Sequence, residues 1–155
     1  ASNQCWAVGD LSGNNYYLVR NNAGVWSSQT VPAPVQRRRR LNAIACPRVN
    51  NCWAVGDFRN SRYIFAHWDG TSWSSSDLQN GQHRENLNGV HCPSDTDCWA
   101  VGNERNGWNL VHFDGTAWTY IGSAAANPQD LNDVYMSSAG SAGVTLVRWQ
   151  EAINN

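Results

Sequence analysis

The chain has 155 residues, twelve acidic against eleven basic, and a formal net charge of -1, so it lacks the global field that would draw nucleic acid or an anionic membrane surface. Its length suits one domain, and no stretch approaches the eighteen or more apolar residues of a membrane-spanning helix. Every basic residue is Arg, and of the nine Trp all but Trp108 fall at repeated positions, which points to a structural role in burying aromatic surface.

In chain order, residues 1–30 carry three strand-like segments, "CWAVGD", "NYYLVR" and "VWSSQT", and read as the last three strands of a four-stranded unit. The residues before Cys5 match the interior of the later loops "CPRVNNC" and "CPSDTDC" without their opening Cys-Pro. Cys5 is therefore expected to bond to an upstream cysteine or to another chain. A connecting loop follows, "VPAPVQ" and then Arg37, Arg38, Arg39 and Arg40. Four charges without interleaved aromatics make a poor nucleic-acid site, and the loop reads either as solvated or as a contact for an anionic glycan or an acidic protein surface.

Residues 41–76 show the unit whole: "LNAIAC", a Cys-Pro and Asn-Asn turn, "CWAVGD", "YIFAHW", the hairpin signal Asp69-Gly70, and "TSWSSS". Residues 87–120 repeat it as "LNGVHC", "CWAVGN", "NLVHF", Asp114-Gly115 and "TAWTY". Residues 131–150 form a degenerate terminal copy, "LNDVYM" then "VTLVRWQ", with Met136 at the cysteine position and a Ser-Ala-Gly-Ser-Ala-Gly stretch in place of most of "CWAVG". Leu41, Leu87 and Leu131, Cys5, Cys52 and Cys98, and Trp26, Trp73 and Trp118 recur at 44 to 47 residues, the size of a four-stranded propeller blade. "CWAVG" is apolar on both faces, as a strand between two layers must be. The fold class expected is all-β, about three and a half propeller-type blades, with a β-trefoil as the alternative of similar length.

Cys46 with Cys52, and Cys92 with Cys98, stand six residues apart in matching repeats and read as local disulfides formed in an oxidising, extracellular compartment. Zinc sites ordinarily use tighter cysteine pairs, and no metal or other cofactor is expected.

The combination of "LNGVHCPSDTDCWAVGN" with "HFDGTAW" resembles the cysteine-containing WAVG repeats of secreted bacterial proteins, which are similar to kelch-like and photosystem-assembly-factor-like β-propellers. The resemblance covers nearly the whole chain. It implies a propeller blade and an extracellular or cell-surface setting, and it implies no particular activity.

Several residues offer chemistry. His67 and His112 each stand two residues before an Asp, with Arg20 and Arg148 at the same place in the outer copies. A residue kept in every repeat reads as part of the scaffold rather than as a general acid or a metal ligand. Asp69-Gly70-Thr71 and Asp114-Gly115-Thr116 resemble the Asp-box turn of sialidase-type propellers, with one residue fewer between Asp and Gly. Ser94, Asp95, Thr96 and Asp97 supply oxygens for calcium but read better as a capped turn. Trp108 lies in "NERNGWNL", read as a hairpin connection where the ring meets a sugar, a protein partner or its own core.

The expected function is a non-catalytic extracellular module for binding or surface assembly, its partner another protein, a further copy or a glycan. The contacts expected are Arg37 to Arg40 and Trp108. A portion of a propeller glycosidase or lyase, or a trefoil lectin, is the alternative.

Overall fold

The repeated segments fold as antiparallel strands, one sheet to each repeat. The computed structural model describes residues 4–11, 15–32, 39–58, 62–79, 86–104, 107–122, 131–136 and 144–147. The first sheet holds β1 (Gln4–Leu11), β2 (Asn15–Asn22) and β3 (Val25–Ser28) in that order. The second holds β4 (Arg39–Arg48), β5 (Asn51–Phe58), β6 (Arg62–Trp68) and β7 (Trp73–Gln79). The third repeats the second with β8 (Asn86–Ser94), β9 (Asp97–Glu104), β10 (Gly107–Phe113) and β11 (Trp118–Gly122). A fourth sheet pairs β12 (Asp133–Met136) with β13 (Val144–Val147). Among the described residues no helix is long and apolar enough to cross a membrane.

Each sheet is a meander because its connections are short and chemically marked. Asp69 closes the β6–β7 turn by accepting the Thr71 and Ser72 amides, both at 2.8 Å, while Gly70 takes φ +97°. Asp114 does the same between β10 and β11, accepting from Thr116 at 2.9 Å and Ala117 at 3.0 Å, with Gly115 at φ +93°. A side chain with a Cβ is strained at such angles.

The Thr116 hydroxyl and then the Ala117 and Thr116 amides lower the Asp114 pKa to about 2, and the Ser72 and Thr71 amides lower that of Asp69. A folded pKa below the unfolded value means stability present above about pH 4 and lost as pH falls through that value toward 2. Asp114→Asn is therefore expected to melt lower than the parent at neutral pH, with the gap closing between pH 4 and pH 2. Thermal melts across that range check this, and parallel curves would refute it.

The core lies between sheets. Trp53, Val55 and Phe65 of the second sheet bury against Leu87, Val90, Val111 and Trp118 of the third. On the other side, Cys52, Ala54, Ala66, Trp68 and Trp73 bury against Leu18, Trp6 and Val8 of the first sheet. Both faces of "CWAVG" in β5 are thus covered, as the absence of a polar face in that strand requires. A smaller cluster joins Val101 to Leu131 and Val134. First strands lie side by side, β4 against β8 and β8 against β12. Asn42 Nδ2 donates to the Leu87 carbonyl at 2.8 Å, and Asn88 Nδ2 to the Leu131 carbonyl at 3.0 Å.

Two segments depart from expectation. Arg39 and Arg40 belong to β4, paired with Phe58 and Asp57, and not to a connecting loop, because β5 runs on past "CWAVG" and extends its partner. Val144–Val147 pairs directly with β12, with Val134 opposite Leu146 as Val90 is opposite Ala100. It takes the second-strand place, where the Ser-Ala-Gly stretch was expected, because the strand-forming residues of this copy begin only at Val144. Arg148 lies outside the described residues.

Candidate functional site

Sheet contacts follow one rule. The second-strand Trp of the first and of the second repeat meets the fourth-strand Trp of the next edge-on, Trp6 with Trp73 at 5.1 Å and Trp53 with Trp118 at 5.4 Å. A third-strand cation or ring then covers the second-strand Trp. Arg20 lies 5.3 Å over Trp6, while His67 stacks on Trp53 at 4.3 Å and His112 on Trp99 at 4.1 Å. Each is held by the residue just before the cysteine. Arg20 donates to Gln4 at 2.8 Å, His67 Nε2 to Asn51 at 2.9 Å, and His112 Nε2 to Asp97 at 2.9 Å. Burial lowers the His67 pKa against the opposing pull of Asp69, consistent with a neutral ring donating to an amide oxygen. His67 and His112 thus share one place and one kind of partner with Arg20, covering the second-strand Trp of their own sheet.

The first sheet breaks the rule on its outward side. Register makes Cys5, Ala7, Tyr17 and Trp26 the equivalents of Cys52, Ala54, Ile64 and Trp73. Those four are buried against the first sheet, with Trp73 4% exposed, whereas Trp26 is 53% and Tyr17 43% exposed. At these four positions the outward face of this sheet has the composition of a buried face, whereas Asn21 stands where the second sheet has the buried Trp68.

The inner edge of the first sheet is also unusual. Where β4 and β8 line β5 and β9, a cleft lies beside β1, bounded by Gln4, Cys5 and Trp6 and, across it, Ile44, Cys46 and Val49. Cys5 is a free, exposed thiol, while Cys46–Cys52 and Cys92–Cys98 are disulfides. The two bonds are compatible with an extracellular protein.

The other residues singled out in sequence do not converge on this place. Arg37 and Arg38 lie outside the described residues, as does the Arg39 side chain, and Arg40 is an exposed β4 residue. Trp108 is on β10 opposite Asn103, half-buried beside the cluster of Val101, Leu131 and Val134 and not at a hairpin tip. Its strand runs two residues longer than "NLVHF" implies, so the ring is drawn onto the sheet. Asp95 is paired with Arg48 at 2.8 Å and Asp97 with His112, which turns these carboxylates toward protein cations and rings. Among the described residues, no three His, Cys, Asp or Glu are grouped to hold a metal.

A second cleft opens between the second and third sheets, with Trp53, Phe65, Phe113 and Trp118 among its walls. Asp77, also in that wall, forms an ion pair with Arg62. Asn42 and Asn88 were not singled out from sequence, although "LN" recurs at the head of three copies. No protein-family model matches the chain, and no curated protein matches it either.

Proposed function

We propose that the chain is a non-catalytic extracellular repeat module of propeller-type blades that associates through its first sheet, with a second copy of the chain as the partner. The observation that carries this is the uncovered face of Tyr17 and Trp26, whose equivalents in the other repeats are buried. Buried-type aromatic surface left open is the usual mark of a protein contact.

The blade reading is supported by strand pairing. Each described repeat hydrogen-bonds within itself and meets the next through side chains, with first strands adjacent. A trefoil would pair strands of different repeats into a shared barrel, so the pattern favours blades. The two disulfides support secretion to an oxidising compartment.

Light scattering on the purified chain is expected to give a mass well above 17.2 kDa that returns to the monomer value in Trp26→Asp. A folded monomer at high protein concentration would overturn the assignment.

A further inference from the structure

Gly9, Gly56 and Gly102 occupy one place in three repeats, but their surroundings differ. A Cβ on Gly56 would fall 1.8 Å from the Arg40 carbonyl oxygen, and one on Gly102 would fall 1.7 Å from that of Asn86. The missing side chain at each is what lets the first strand of the sheet lie close. At Gly9 no described residue lies within 4 Å of the same position. Its φ is not in the left-handed region, so conformation does not call for glycine there either.

A second observation coincides with this. The cleft between Cys5 and Cys46 lies beside both β1 and β4, the two neighbours a first strand of this sheet would have. In the complete repeats the corresponding strand lies on the second strand of its own sheet and beside the first strand of the next, as β4 lies on β5 and beside β8. It places Leu41 opposite Gly56 and bonds Cys46 to Cys52. It also sends Asn42 to the Leu87 carbonyl.

We infer that the notch between β1 and β4 is a seat for an antiparallel strand of pattern Leu-Asn-x-x-x-Cys, its Leu opposite Gly9 and its Cys bonded to Cys5. The inference rests on the reading of the chain as a repeat module that associates through its first sheet. The incoming Asn is then placed to donate to the Leu41 carbonyl. The chain's own copies of the pattern are poor donors: β4 and β8 are each fastened by a disulfide in their own sheets, and β12 ends in Met136. Backbone pairing along the open edge supplies the recognition, with side-chain pockets setting register.

The covalent step is thiol–disulfide exchange. The Cys5 thiolate attacks the incoming cysteine where it is held as a mixed disulfide with glutathione; the new S–S bond forms as the old one breaks, and glutathione leaves as its thiolate. No net oxidation is needed.

The test uses a glutathionylated peptide copying residues 39–46, Arg-Arg-Leu-Asn-Ala-Ile-Ala-Cys, and a scrambled peptide keeping the terminal Cys. Both are incubated with the intact chain in glutathione buffer and read by intact mass. Capture of the copied sequence is expected to exceed that of the scrambled one by about tenfold. Gly9→Leu is expected to reduce it to the scrambled level with its melting midpoint unchanged, and Cys5→Ser to abolish it. Equal capture of both peptides, or full capture by Gly9→Leu, would overturn the inference. So would a Gly9→Leu midpoint lowered as at a crowded site. Capture lost while light scattering still shows association removes the notch alone; association lost with capture intact removes only the self-docking face.

Discussion

Trp118→Ala is expected to lower the unfolding free energy by about 3–5 kcal/mol, while the equivalent Trp26→Ala changes it by less than ~1 kcal/mol. Trp118 is 8% exposed and stacks on Phe65 at 4.4 Å, meets Trp53 edge-on at 5.4 Å, and lies 5.5 Å from Phe113. Removing it empties the centre of the interface between the second and third sheets. Trp26 stands at the same point of its repeat but is 53% exposed, so its loss vacates little among the described residues. Urea denaturation of the two variants under monomeric conditions measures the difference. Equal losses would mean that the outward face of the first sheet is already covered by its own chain.

The second large effect concerns a methyl group. Gly56→Ala is expected to cost about 3 kcal/mol or more, because the added Cβ meets the Arg40 carbonyl oxygen at 1.8 Å and its carbon at 2.7 Å. The obstacle is backbone within the same sheet, so relief requires β4 to move off β5. That shift would also disturb the first-strand contact of β4 with β8 and the Asn42 bond to Leu87. Thermal and urea unfolding of Gly56→Ala beside Gly9→Ala test this, the latter expected to match the parent. A small loss at Gly56 would show that the first strand is loosely held.

Features encoded within a few residues were the legible ones. Cysteines six apart and Asp-Gly turns carry their geometry locally, and the 44 to 47 residue period follows from their recurrence. The double-sided burial of "CWAVG" was also readable, since neither parity of that strand is polar. Placements that depend on which neighbour is present were not. Trp26 and Trp73 occupy the same motif position yet differ in exposure because, among the described residues, only Trp73 has a sheet on its far side. Trp108 looked like loop, but β10 begins at Gly107 and carries it onto the third sheet. Asn42 acts on a carbonyl 45 residues away, which no local pattern reveals.

That Asn-to-carbonyl bond gives the assembly a direction. Asn42 and Asn88 each offer an amide donor forward to the Leu carbonyl of the next repeat, so the same two atoms recur, with unlike sides, where the second sheet meets the third and the third meets the fourth. A unit built this way carries both halves of its coupling, and duplicating it adds a compatible junction without altering the units on either side. Energetically the described sheets then couple as nearest neighbours. The second and third, gripped on both faces, are the last to let go.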